Sequence, residues 1–550
     1  MTIVSATGVA VALVWSIALA IAAAPSTQPP RIPAGGYLAE SGHREFLTDG
    51  AQLTIVETSR LPGGVAFSDG SAVIQRVLEH SSFEEASSDY WIREIAETPL
   101  GIAARLLKLD DRGLVSYAID GPNQEVAFDN GIVELPSDPQ PGASWTSLAT
   151  ATNAAGITGP WNRVGSITAS QQQGCLEITI TDRFRDTETV STLTRCEQRG
   201  IVAVGDAIAG NPPRPDTSGL SLLPPPDVIP SSDPVSVSVH TGGIPMSVGM
   251  STPPVAVGDR LVFANRTNGH LDFVVPGANG QWDVSIVRRP GRDTTRLLGI
   301  GDLVVAATTD RTLVAYDAQG RWLWQADIPD LASDLFWVGD ETAAALTLDD
   351  QLTVFALADG SIVRTTQMPS GSTVRPAVVR AGSQALIATA AGRQVAILYP
   401  DGEIVTLEVR DDVRSFTMTD HGLIVSDLTA DLTAFDLNGT RLWRVGMSDS
   451  CRDLVQAGES IICRLADKLT ALNPASGEID WQESLSPLTS YVAADQILSL
   501  GRQTTTLLSS DGAELASWPI ERTASNTWTI PMADGLLVAS GSGQFEWWQS

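Results

Sequence analysis

The chain is poor in basic residues, in histidine and in cysteine, and each shortage excludes a class of function. Its 550 residues carry 35 Lys and Arg against 64 Asp and Glu, a net charge of −29. A surface this acidic repels phosphate backbones, which argues against a nucleic-acid partner. The same excess charge keeps a large sheet protein soluble and its edges apart. The five histidines, His43, His80, His240, His270 and His421, are scattered and none sits in an H-E-x-x-H pair. There is no G-x-S-x-G nucleophile turn, no C-x-x-C-H haem site and no D-x-D-x-D-G calcium loop. The sequence therefore assigns no catalytic residue, no cofactor and no metal ligand.

Only four cysteines are present, and each has a partner across a predicted hairpin. Cys175 and Cys196 flank two alternating strands, LEITITDRF and ETVSTLTR, that meet at Arg185-Asp186. Pairing Phe184 with Thr187 brings Cys175 opposite Cys196. Cys451 and Cys463 bracket a short turn at Ala457-Gly458 in the same way. Two cross-strand disulfides, and an oxidising compartment, are the economical reading. Metal binding is the alternative, but the spacings lack a C-x-x-C pair.

Long apolar runs are confined to the start of the chain. Residues 1–24 contain no charge, and Ile3–Ala24 is long enough to span a bilayer as an apolar helix. The expectation is a single-pass anchor with extracytoplasmic domains, or a secreted protein if the run is a signal peptide cut after Ala22. No cysteine follows closely, which excludes a lipid anchor. Residues 25–36 form a proline-rich spacer, and residues 207–234 a second proline-rich linker with Pro224-Pro225-Pro226. That linker reads as a plain spacer, with docking on a face of the domain that follows, or service as a partner peptide, as the alternative. Between them, residues 37–206 alternate with period two and show no long helical period. They read as an antiparallel β-sheet domain or open half-barrel.

What the chain does have is a repeat. LVAYDAQGRWLW (Leu313–Trp324), LTVFALADGSIV (Leu352–Val363), LTAFDLNGTRLW (Leu432–Trp443) and LTALNPASGEIDW (Leu469–Trp481) share one pattern of strand, glycine turn and strand. Their glycines, Gly320, Gly360, Gly439 and Gly477, are joined by weaker copies at Gly280, Gly402 and Gly512. A period near forty with about four strands per unit predicts a β-propeller over residues 235–550. That length suits eight blades, with seven as the alternative. The last unit ends on QFEWWQ (Gln544–Gln549) one strand short, and VSVSVH (Val235–His240) is the candidate to complete it. The turn glycines supply positive φ, and Asp317, Asp359 and Asp401 read as turn formers rather than catalytic acids.

The copies that end in Trp324, Trp443 and Trp481 resemble the repeat of the pyrroloquinoline-quinone (PQQ) type propellers, whose units end like A-x-D-x-x-T-G-x-x-x-W. The resemblance implies that these tryptophans pack between blades, and that Arg364, Thr406 and Ala516, at the equivalent place elsewhere, mark looser packing. Quinone-dependent dehydrogenases share this fold, but their adjacent cysteine pair is missing here. The family also includes a non-catalytic outer-membrane assembly propeller. The resulting expectation is a non-catalytic extracytoplasmic scaffold that docks a protein or peptide on a propeller face at the cell envelope. The alternatives are a quinoprotein-like small-ligand binder and a cell-wall carbohydrate binder, the latter suggested by Trp547-Trp548, one of which is expected to be exposed.

Overall fold

A computed structural model describes residues 33–50, 52–61, 91–121, 124–153, 156–185, 187–210, 212, 217, 219–222, 238–243, 252–265, 270–276, 282–290, 293–339, 341–369, 372–381, 384–419, 422–485, 487–493, 496–520, 522, 527–532, 535–540 and 544–549. The apolar run at residues 3–24 lies outside them, as do His80 and His421. Among the described residues, no helix is long and apolar enough to cross a membrane.

The first domain has twelve strands: β1 (His43–Thr48), β2 (Leu53–Leu61), β3 (Trp91–Thr98), β4 (Gly101–Asp110), β5 (Gly113–Gly121), β6 (Gln124–Pro136), β7 (Ser144–Asn153), β8 (Thr158–Ala169), β9 (Cys175–Phe184), β10 (Thr187–Cys196), β11 (Gly200–Val204) and β12 (Ala207–Ala209). It is antiparallel, as expected, but not open: β1 pairs with both β2 and β12, so the sheet closes into a barrel. Closure leaves no unpaired edge. It was illegible in the sequence because the closing strand is only three residues long and lies at the start of the proline-rich stretch. Alternation sorts the side chains, with Leu176, Ile178 and Ile180 of β9 buried and Glu177 exposed between them. The β9–β10 register places Phe184 against Thr187 and Cys175 against Cys196, and the disulfide is formed.

The barrel interior is not purely apolar. Glu134 on β6 makes an ion pair with Arg163 on β8 at 2.7 Å, with the N–H not aimed for a hydrogen bond, and lies 3.5 Å from Arg105 on β4. Arg163 also donates two hydrogen bonds to Asp182 on β9, and Arg195 on β10 grips Glu94 on β3 with two more. Burial alone would raise the Glu134 carboxyl. Arg163 and Arg105 outweigh it and hold the group at about 2.

Eight four-stranded sheets follow. Blades 1 to 7 run Val255–Arg288, Thr294–Asp327, Ala332–Gln367, Ala377–Glu408, Val413–Gly446, Asp453–Glu483 and Pro487–Pro519. Blade 8 takes three strands from Thr527–Gln549 and its fourth from Ser238–Gly243. The ring is thus closed by its two ends, with Val239 opposite Trp548 and His240 opposite Trp547. Within a blade the second and third strands are covered on both faces by neighbouring blades. Leu303–Thr308 and Thr312–Asp317 are accordingly buried throughout, whereas the outer strand Ile362–Gln367 is mostly exposed.

The same two-sided burial corrects one expectation. Trp547 and Trp548 point to opposite faces, but both are buried, at 7% and 0% exposure. Trp547 enters the core shared with blade 1, and Trp548 meets Trp518 of blade 7 edge-on at 5.1 Å. Neither is available to a carbohydrate.

The barrel rests on the outer strands of blades 1 and 2. Arg44 on β1 donates to Gln325 Oε1 at 2.7 Å and to the Pro290 carbonyl at 2.8 Å, and pairs with Glu57 at 3.1 Å. Phe46 packs against Trp322. At the end of β3, Glu97 accepts the Tyr316 hydroxyl at 3.2 Å and the Arg289 N–H at 3.3 Å, with Arg288 Nε at 3.9 Å. Burial pushes the Glu97 carboxyl up to about 7 despite the nearby Arg288 and Arg44. The proline-rich linker is also more than a spacer where described. Ser221 exchanges hydrogen bonds with Asp302 at 2.8 and 3.0 Å, and Leu220 and Leu222 pack on the core between blades 2 and 3.

Candidate functional site

The repeat residues build the ring rather than a site. Trp324, Trp443 and Trp481 each lie on the turn of the next blade and donate their indole N–H to one of its carbonyls, those of Leu357, Pro474 and Ser510, all at 2.8 Å. The glycine of that turn must be bare. A Cβ on Gly360 would lie 2.4 Å from Trp324, on Gly477 2.6 Å from Trp443, and on Gly512 2.7 Å from Trp481. Gly320 and Gly439 receive aliphatic side chains of the preceding blade instead.

Arg364 stands in the register position of these tryptophans, opposite Val354 as Trp324 is opposite Ala315. It donates to the Pro400 carbonyl of the next blade at 2.9 Å, so the blade-to-blade hydrogen bond survives the change of residue. Asp317, Asp359 and Asp401 accept backbone N–H groups within their own turns. The four cysteines are all in disulfides, Cys175–Cys196 and Cys451–Cys463. Among the described residues, no group of three His, Cys, Asp or Glu side chains is placed to hold a metal ion.

The feature that departs from plain scaffolding lies on one face of the ring. Each blade starts on its inner strand, beside the axis. There, in three successive blades, an arginine follows a buried or half-buried apolar residue: Val374-Arg375, Val413-Arg414 and Cys451-Arg452. In blade 5 the pairing steps from Val413 to Ser415, so Arg414 is bulged out of the ladder. Arg375 and Arg452 hold the matching place in blades 4 and 6, and all three side chains are exposed. They influence groups on several blades. Arg375 acts on both Asp334 of blade 3 and Asp453 of blade 6, while Arg452 and Arg414 act on Arg464.

Burial raises the carboxyls of Asp334 and Asp453, and Arg375 partly offsets both, helped by Arg296 at Asp334 and by Arg464 at Asp453. Burial likewise depresses Arg464, and Arg452 and Arg414 depress it further while Asp453 opposes them. Arg464 donates one N–H to the Leu488 carbonyl at 3.1 Å, and its buried Nε has no hydrogen-bond partner. Adjacent to Arg452, a cleft of about 540 Å³ opens between blades 6 and 7. Arg452 and Arg502 line it together with Leu485, Pro487 and Leu488, so the lining is partly apolar. The guanidinium groups of Arg375, Arg414, Arg452 and Arg502 make no ion pair or hydrogen bond among the described residues. The face can therefore hold anionic groups beside a pocket for an apolar one. Sequence reading passed over these arginines although their signal was present: an apolar-Arg pair recurring at spacings of 39 and 38 residues, in step with the blades.

Against known proteins, residues 276–414 match the family described as outer membrane protein assembly factor BamB. That stretch is similar to the PQQ-like propeller repeat. Among solved structures, BamB from Moraxella catarrhalis is 18% identical, with 56% of this chain and 100% of that one covered and a TM-score of 0.43. The computationally designed Ika8 protein is 10% identical, covering 56% and 98%, with a TM-score of 0.45. Chaetomium thermophilum Sqt1, solved bound to the N-terminus of ribosomal protein L10, is 11% identical, covering 56% and 98%, with a TM-score of 0.46. No curated protein matches the chain in sequence.

Proposed function

We propose that this is a non-catalytic, extracytoplasmic binding protein that docks a protein or peptide on its propeller at the cell envelope, held there by the apolar run at residues 3–24. The observation that carries the reading is the face just described, where unpaired arginines and a cleft adjoin on a rigid, closed ring. Such a ring gathers loops from several blades onto a surface that does not reorganise on binding, which lowers the entropic cost of association. The PQQ-like repeat, shared with an outer-membrane assembly factor, supports a docking role. The two disulfides support an oxidising compartment.

A photo-cross-linking residue at Gln503, which lines the cleft, tests this in the native cell. One at the exposed Gly402 turn, at the rim, serves as control. A discrete adduct from Gln503 alone is expected. Equal labelling from both positions, or a stoichiometric quinone in the purified protein, would overturn the reading in favour of no docking face or of a small-ligand binder.

A further inference from the structure

We propose that the arginines at the start of blades 4, 5 and 6, with the cleft between blades 6 and 7, recognise an acidic, extended peptide segment of the docking partner. This rests on the docking function above and names the chemistry of what docks.

The first support is position. Arg375, Arg414 and Arg452 occupy the same place in three consecutive repeats, so they form an arc about the axis rather than a random scatter. The second is their state. All three side chains are exposed and unpaired among the described residues, in a chain whose carboxylates outnumber its basic groups by 64 to 35. Elsewhere on this protein arginines are commonly paired, as Arg199 with Glu45, Arg183 with Glu188 and Arg444 with Asp431. The third is local charge. Arg375 acts with Arg296 on Asp334 and with Arg464 on Asp453, the exposed Asp412 and Asp449 precede Arg414 and Arg452 in the chain, and Arg464 is held below its usual range by burial with Arg452 and Arg414 adding to the effect. A carboxylate arriving there relieves like-charge crowding and accepts the forked hydrogen bonds that a guanidinium offers.

The surroundings select a short acidic peptide over a larger polyanion. At physiological salt the field of the arc reaches about 8 Å, whereas the charge of −29 spread over the molecule repels a long nucleic acid. The cleft adds a partly apolar pocket, lined by Leu485, Pro487 and Leu488 together with Arg452 and Arg502. An extended chain sends alternate side chains to opposite sides. It can therefore set acids on the arc while an apolar residue enters the cleft.

The test uses the full chain in detergent and a fluorescein-labelled peptide of about twelve residues, a repeat of Glu-Leu-Glu-Ser, with its Gln-Leu-Gln-Ser counterpart. Anisotropy is expected to give a Kd for the Glu peptide about tenfold or more below that for the Gln peptide, rising with salt. The combined change R375Q/R414Q/R452Q is expected to remove that preference. R183Q/R185Q/R199Q in the barrel, losing as many charges, is expected to keep it, and Arg414→Lys is expected to keep most of it. Equal affinity for the two peptides overturns the proposal, as does retention of the preference by the propeller triple variant. Tighter binding of an oligothymidylate or of phosphatidylglycerol vesicles through the same arginines overturns it as well. The Gln503 cross-link separates this from the underlying reading. An adduct that persists undiminished in the triple variant sinks acidic recognition alone, and its absence from the wild type sinks docking itself.

Discussion

Glu97 makes the attachment of the barrel to the propeller depend on pH, and the sign follows from its surroundings. The carboxyl is 8% exposed, held between Tyr316, the Arg289 amide and Arg288 of the propeller and near Arg44 of the barrel. Burial raises it from 4.5 to about 7. A separated barrel returns the group to water and to its ordinary value. Between those values the docked state binds a proton that the separated state has lost. Docking is therefore most favourable below pH 4.5 and weakens as pH rises to about 7, by about 3 kcal/mol in all.

The measurement is thermal unfolding of the full chain followed by hydrogen exchange at β1, β3 and the end of blade 1, at pH 5 and pH 8. Wild type is expected to lose about 6–12 °C in the transition of this interface at the higher pH. Glu97→Gln keeps an acceptor for Tyr316 but cannot ionise, so its transition is expected to differ little between the two. A Glu97→Gln protein with the wild-type slope, or a wild type that docks more tightly at pH 8, would refute the reasoning.

Two further outcomes are expected. Trp324→Ala removes a buried indole and its bond to Leu357 O, and is expected to cost about 3–5 kcal/mol in chemical unfolding, whereas Arg364→Ala at the equivalent place is expected to cost nearer 1 kcal/mol; equal losses would show that the tryptophans are not what joins the blades. Glu134 behaves oppositely to Glu97: its carboxyl, held at about 2, contributes about 3 kcal/mol above pH 4.5 that is lost as pH falls toward 2, and Glu134→Gln is expected to flatten that acid limb of the barrel's unfolding while costing about 3–5 kcal/mol at pH 7. An acid limb unchanged by the substitution would exclude this role.

Much of the propeller was legible along the chain because its rules are local. A glycine at positive φ and an Asp or Asn that accepts the turn's own amides recur in the described turns of blades 2 to 7. Complementing QFEWWQ with a strand from before the first blade also followed from counting strands. The pairing observed is Ser238–Gly243, a few residues beyond the stretch expected and with residues 235–237 outside the described region. The register of Cys175 with Cys196 was readable for the same reason, since one hairpin turn sets every pair behind it.

What depends on separated segments meeting was not readable. Three residues of β12 turn a sheet into a closed barrel, and no pattern in Ala207–Ala209 announces which strand they will find. Trp547-Trp548 alternate like a half-exposed strand, yet blades on both sides cover them. The order of residues alone determined a ring of glycine-turned blades, two cystines and a strongly acidic chain, because each arises from neighbours within one repeat or one hairpin. Only the folded ring decided that arginines 38 and 39 residues apart share one face beside a cleft, and that Glu97 is sealed between two domains. Proximity across blades and burial between domains are set by packing, which no local spacing encodes.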